Sequence, residues 1–118
     1  MALYKKVNLK QGGFTPLIEA AMNGHVEVAR ILLEENADPN GPPLQQNRET
    51  PLTLAASRGY LEFVRLLIQN DATIDVRNKK GRTALFLGAS GIRSSLYFLD
   101  VFQSSFSVFI FRFARFLL

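Results

Sequence analysis

The sequence predicts an all-α repeat fold, a solenoid of stacked antiparallel helix pairs, on three observations. The segment TPLIEAAMNGHVEVARILL, residues 15–33, recurs as TPLTLAASRGYLEFVRLLI, residues 50–68. Thr15 and Thr50 are 35 residues apart, and Thr50 and Thr83, which opens TALFLGASG, are 33 apart. A self-similar period of this size marks stacked supersecondary units rather than one closed fold. Finally, each unit carries the same punctuation: a threonine, a first apolar helix, a glycine, and a second apolar helix.

Each element has a local reason. Thr15, Thr50 and Thr83 stand where a helix N-cap belongs, and a threonine oxygen there accepts a bond from an otherwise orphan N–H. Pro16 and Pro51 follow at the first helical position, where the missing N–H costs nothing and φ is already suitable. Leu17, Ala20 and Ala21 match Leu52, Ala55 and Ala56; small alanines on that face let the next helix come close. Gly24 and Gly59 break the first helices, because glycine accepts positive φ. The second helices carry apolar faces of Val26, Val28, Ala29, Leu32 and Leu33 in one unit and Leu61, Phe63, Val64, Leu66, Leu67 and Ile68 in the next. Asn36 and Asp71 end them, asparagine tolerating the left-handed conformation better than aspartate. The second loop, NGPPLQQNRET, is two residues longer than the third, so its turn should differ in shape. Arg48 stands where Gly13 and Gly81 stand in the other units, which argues against a tight turn there. In the third unit Ala84 replaces proline and Gly88 replaces alanine, weakening the helix by about 1 kcal/mol.

These stretches, TPLIEAAMNGHVEVARILLEENADPN and TPLTLAASRGYLEFVRLLIQNDATID with RNKKGRTAL opening a third unit, resemble the ankyrin repeat. The resemblance covers roughly residues 13–91. It divides the chain into a partial preceding loop (1–12), units at 13–47, 48–80 and a degenerate 81–100, and a Phe-rich tail (101–118). It implies an ankyrin-type solenoid whose loops project as β-hairpin fingers. The pairing of PLIEAA with PLTLAA is also similar to modules of very large multi-ankyrin proteins. Val7 and Asn8 fall where a preceding repeat would end, so the chain reads as starting inside an array, and no polar cap is visible at that end.

The tail admits more than one reading. Leu96, Phe98 and Leu99 fit a third outer helix. Seven of the ten phenylalanines lie between Phe98 and Phe116, and Phe102, Phe106, Phe109, Phe113 and Phe116 form one helical stripe. Phe106 to Phe113 also alternates as a strand would. The longest uncharged run, Val101 to Phe111, has 11 residues, short of the roughly 20 a spanning helix needs. The stripe could cap the last repeat, lie on a membrane surface, or be an end without a selected role, in which case FSVFIF is an aggregation hazard.

Composition narrows the chemistry. No cysteine is present, which excludes disulfides and thiolate metal sites. The start, MALYKKVNLK, lacks the apolar core of a signal peptide, and an intracellular location, cytoplasmic or nuclear, is expected. His25 is the sole histidine, and Tyr60 takes its place in the second unit. No zinc ligand set and no serine triad can be assembled around it. In the family the residue after this glycine bonds to backbone in the inter-helix turn. Glu19 lies where Leu54 and Leu87 stand and is expected to be partly buried, a place where a carboxylate usually accepts hydrogen bonds rather than catalyses. GASG, residues 88–91, has the GXXG form of the KH loop but lies inside the third unit and lacks basic residues within the loop. The net charge is +4. Arg77, Lys79, Lys80 and Arg82 share one loop, and Lys5, Lys6 and Lys10 precede the first unit. No aromatics interleave with them as a nucleic-acid platform requires.

The expected function is therefore a protein-binding scaffold, not an enzyme, monomeric, with no cofactor and no metal. Its partner is a protein of unknown identity; the basic finger is either simply solvated or meets an acidic partner, and nucleic acid is the weaker reading. Membrane attachment through 92–118 is the alternative. The resemblance places contacts on the fingers and the exposed side of the inner helices. On this sequence those positions are Gln11, Phe14, Met22 and Asn23 from the first unit, Arg48, Glu49, Ser57 and Arg58 from the second, and Lys79, Lys80, Arg82 and Phe86 from the third. Phe14 and Met22, apolar where solvent is expected, are the leading candidate anchors, with plain inter-repeat packing the alternative for each of these positions.

Overall fold

The computed structural model describes residues 8, 10 and 12–89. Five helices lie among them: α1 (Pro16–Asn23), α2 (Val26–Glu34), α3 (Pro51–Ser57), α4 (Leu61–Gln69) and α5 (Ala84–Ala89). The third outer helix, the phenylalanine stripe, Lys5, Lys6 and Gln11 all fall outside the described residues.

Each inner helix starts as the threonine grammar requires. Thr15 Oγ1 accepts from Ile18 N at 3.2 Å, and Thr83 Oγ1 accepts from Phe86 N at 3.3 Å. At α3 the cap is reciprocal: Thr50 Oγ1 accepts from Thr53 N, and Thr53 Oγ1 accepts from Thr50 N at 2.8 Å. This satisfies two orphan donors at once. Gly24 then closes α1 with φ 71°. A Cβ built on it would lie 3.0 Å from Tyr60 Cζ, so the bare backbone seats a ring from the next unit as well as making the turn. His25, at the inter-helix turn, makes no side-chain cap bond; the turn is held instead by its backbone, His25 N donating to Ala20 O at 3.0 Å. Asn36 and Asp71 end the outer helices at φ 69° and 65°, in the left-handed region expected of them.

The helices form two rows. α1, α3 and α5 stack as an inner row, α2 and α4 as an outer row, and α2 and α4 also pack on α1 and α3 of their own units. The core lies between the rows. Leu17, Ile18, Ala20 and Ala21 of α1 join Leu52, Leu54, Ala55 and Ala56 of α3, Phe63, Val64, Leu66 and Leu67 of α4, and Ala84 of α5. Each large side chain buried here contributes about 1.5–3 kcal/mol. The exposed pairs Arg30–Glu27 and Arg65–Glu62 recur on the outer helices, and as i,i+3 surface pairs they add at most a few tenths of that.

An asparagine clamp ties the loops of successive units. Asn40 Oδ1 accepts from Thr73 N at 2.7 Å, while Asn40 Nδ2 donates to Asp71 O at 3.0 Å. Asn8 does the same one unit earlier, accepting from Asp38 N at 2.9 Å and donating to Asn36 O at 3.4 Å. One side chain thus satisfies a donor and an acceptor of the neighbouring backbone that no helix or strand would pair.

Burial in register shows which positions need a neighbour. Phe63 and Leu66 of α4 are 0% and 7% exposed, whereas their equivalents on α2, Val28 and Ile31, are 49% and 59% exposed. The α4 pair is covered because α2 lies in front of it. We therefore expect Phe63→Ala to cost about 3–5 kcal/mol of unfolding free energy and Val28→Ala to change it by under about 1 kcal/mol. Urea denaturation of the two variants checks this; similar losses would contradict the assignment of the two faces.

Candidate interaction surface

Three finger turns precede the inner helices. In the third, Asn78 N donates to Arg82 O at 3.0 Å and Gly81 N to Asn78 O at 2.9 Å. In the second, Leu44 N donates to Glu49 O at 2.9 Å and Arg48 N to Leu44 O at 2.8 Å, a closure one residue wider. One of the two extra residues of the second loop is accommodated there; the other lies between Asn36 and Leu44. Contrary to the expectation drawn from its side chain, Arg48 does form the turn, at φ 57°, beside Gly13 at 90° and Gly81 at 76° in the other units. An L-residue in this region costs roughly 1–2 kcal/mol, which the two closing bonds help to offset. No regular strand is present among the described residues; the fingers are hydrogen-bonded turns.

Asn78 is the centre of the third finger. It is buried, its Oδ1 accepts from Lys80 N and Arg82 N, both at 3.0 Å, and its Nδ2 donates to Glu49 Oε1 at 2.9 Å. Lys79 N donates to Asn47 O at 2.8 Å. Two bonds therefore lock the third finger onto the second. Glu49 Oε2 is buried without a partner, so Glu49 works as an internal strut rather than a displayed contact. Sequence reading missed Asn78, although asparagine's habit of bonding its own backbone two residues on was the available signal.

The other expected positions divide clearly. Asn23, Arg48, Ser57, Arg58, Lys79, Lys80, Arg82 and Phe86 are exposed. Asn23 Nδ2 donates to Glu19 O at 2.9 Å and Ser57 Oγ to Leu54 O at 2.8 Å, so both decorate the ends of their own helices. Phe14 and Met22, expected to face solvent, are instead half-buried against the core, because large apolar side chains beside the alanine-lined helices find cover there. Among the described residues the exposed aromatic is Phe86, at 52%, with the Arg82 guanidinium 5.2 Å from its ring centroid. Such a cation–π pair is worth about 0.5–1 kcal/mol at an exposed site. Arg77 Nη1 donates to Gly81 O at 3.0 Å. Lys79, Lys80 and Arg82 make no ion pair with a described carboxylate, so the finger presents uncompensated positive charge.

Glu19, expected to be partly buried, is exposed, because α1 has no described helix on the side where Leu54 is covered. Gly88 is buried within α5, which places the first glycine of the GXXG match in a helix instead of a loop. A shallow groove between the loops is lined by Pro39, Asn40, Gly41, Pro43, Thr50, Leu52, Ala72, Thr73 and Val76, none of them titratable. Among the described residues no group of three or more His, Asp or Glu side chains is placed to hold a metal ion, and no helix is long and apolar enough to cross a membrane.

Stacked helix pairs, capped by Thr-Pro and tied by finger turns, define an ankyrin-type repeat module. The family model for ankyrin repeats (many copies) matches residues 17–68 and 52–95, and the chain belongs to that family. It is 48% identical over 79 residues, 67% of its length, to "Ankyrin repeat and KH domain-containing protein CBG24701" of Caenorhabditis briggsae. It is 48% identical over 86 residues, 70% of its length, to human "Ankyrin repeat and KH domain-containing protein 1", and 49% identical over 71 residues, 60% of its length, to human "Ankyrin repeat domain-containing protein 17". The matched region spans about 3% of the length of each of these relatives. Ankyrin repeats generally mediate protein–protein interaction and are generally non-catalytic.

Replacing Asn78 by alanine strands the Glu49 carboxylate and two finger N–H groups. We expect a loss of about 2 kcal/mol in stability, measured as a lowered urea midpoint at unchanged m-value; an unchanged midpoint would show that the strut carries no weight.

Proposed function

We infer that the chain is a non-catalytic scaffold that binds a protein partner through the face made by its fingers and inner helices, and that this partner is acidic where it meets the third finger. The observation that carries the reading is the arrangement of exposed polar and cationic side chains on a hydrogen-bonded frame. Arg58 ends α3, Lys79 and Lys80 project from the third finger, and the backbone beneath those lysines is bonded to Asn47 and Asn78. A frame ordered before binding loses little conformational entropy on docking. Uncompensated cations attract acidic surfaces and reject basic ones. An Arg58→Ala/Lys79→Ala/Lys80→Ala variant should keep its melting temperature within about 2 °C, since exposed sites change stability little. In affinity capture it should recover at least about fivefold less partner than the parent chain, about 1 kcal/mol of binding. Equal recovery would remove this face as the site.

A second reading comes from the phenylalanine stripe in 102–116, which suits a membrane surface. Flotation with anionic phospholipid vesicles tests it: co-migration of the chain that is lost on changing Phe106, Phe109 and Phe113 to serine supports an anchor, and a chain that stays at the bottom of the gradient eliminates one.

A further inference from the structure

We propose that Asn40 is a self-modifying latch: ring closure with Gly41 converts its side-chain amide to a carboxylate and releases the first unit's loop from the second. Asn-Gly occurs twice in the chain, at 23–24 and 40–41. Glycine leaves the nitrogen after an asparagine without a Cβ to obstruct its approach to the side-chain amide. Three asparagines hold loops together, and their neighbours differ. Asn8 is followed by Leu9 and Asn78 by Lys79, whereas Asn40 is followed by glycine. Asn40 is also exposed and lies outside the helices. Asn23 is placed otherwise. It ends α1, its Nδ2 donates to Glu19 O, and Gly24 N donates to Ala20 O. Ring closure at Asn23 has to unwind the helix end first.

The step needs no co-reactant but water. Gly41 N gives up its proton and attacks Asn40 Cγ. The N–Cγ bond forms, the Cγ–Nδ2 bond breaks, and Nδ2 departs with a proton as ammonia, leaving a cyclic imide. Water then opens the ring. Attack at Cγ leaves aspartate, and attack at the main-chain carbonyl carbon leaves isoaspartate. In the folded chain the clamp gates this chemistry. Asn40 Oδ1 accepts from Thr73 N at 2.7 Å and Nδ2 donates to Asp71 O at 3.0 Å, both across the unit boundary, while Gly41 N donates to Asp38 O at 3.3 Å. Turning the carboxamide onto its own chain requires both inter-unit bonds to open, so conversion follows the time the two loops spend apart. Afterwards the clamp does not re-form. Aspartate has no donor for Asp71 O and sets a charged oxygen against it, and isoaspartate also lengthens the main chain by one carbon. Because ammonia leaves, a transient separation of the two loops is recorded as a permanent one.

Incubation of the full chain at neutral and mildly alkaline pH, followed by peptide mapping, tests this. The fragment holding Asn40 should gain the mass that replaces NH2 by OH, faster at the higher pH because the attacking nitrogen must lose its proton. The fragments holding Asn8, Asn23 and Asn78 should lag behind it. A synthetic peptide of residues 36–46, which has the same Asn-Gly and no second unit to clamp it, should convert at least about tenfold faster than the folded chain. Gly41→Ala supplies the chemical control. A Cβ there would lie 3.5 Å from Asp38 O, an ordinary contact, and Gly41 does not have a positive φ. That variant should keep its urea midpoint and convert at least about tenfold more slowly, since the added methyl group crowds the attacking nitrogen. Asn40→Asp, one of the two products, should lower the midpoint. A chain whose Asn40 stays intact, a chain that converts as fast as the free peptide, or an Asn40→Asp protein with an unchanged midpoint overturns the proposal.

Discussion

Close approach of the inner helices is the constraint on which the rest depends. Ala20 and Ala21 of α1, Ala55 and Ala56 of α3 and Ala84 of α5 are all buried. No side chain larger than a methyl group stands at these points, so successive inner helices lie near enough for Leu17, Ile18, Leu52 and Leu54 to fill the remaining space at native packing density. The threonine caps and the Thr-Pro starts serve this geometry by fixing where each helix begins. A bulkier residue at Ala55 would wedge the rows apart and cost about 1–3 kcal/mol by overpacking.

Stacking helices in this way leaves long loops with many unpaired backbone groups, and the molecule answers with asparagine. Asn8 and Asn40 bridge the loop backbones of successive units; Asn78 organises the third finger and reaches back to Glu49. A short amide side chain supplies a donor and an acceptor together, which is what adjacent N–H and C=O groups require. The surface available for recognition is therefore set by internal bonding. The residues that hold the fingers in place are not those that project from them, and Glu49 belongs to the former group.

Much of this was legible in the sequence because it is encoded by local rules. The caps at Thr15, Thr50 and Thr83, the left-handed turns at Gly24, Asn36 and Asp71, and the paired apolar stripes each follow from the chemistry of one or two residues. What escaped reading depends on neighbours. Arg48 takes a positive φ because the turn around it is closed by two hydrogen bonds, a tertiary outcome that propensity argues against. Phe14 and Met22 have the composition of displayed anchors but find cover beside the alanine-lined rows. Glu19 and Leu54 occupy equivalent positions and differ in exposure; α3 packs on α1, and packing between units is something no single unit's sequence can state.

The asymmetry of Val28 and Ile31 against Phe63 and Leu66 has an evolutionary corollary. An array whose units all bury equivalent faces against one another can be lengthened or shortened by whole units without inventing a new kind of contact. Duplication of one helix pair places a ready-made mate on each side. Divergence is then free to act on the outward-pointing loop residues while the seam is kept. Growth by copying is in that sense written into the shape of the seam.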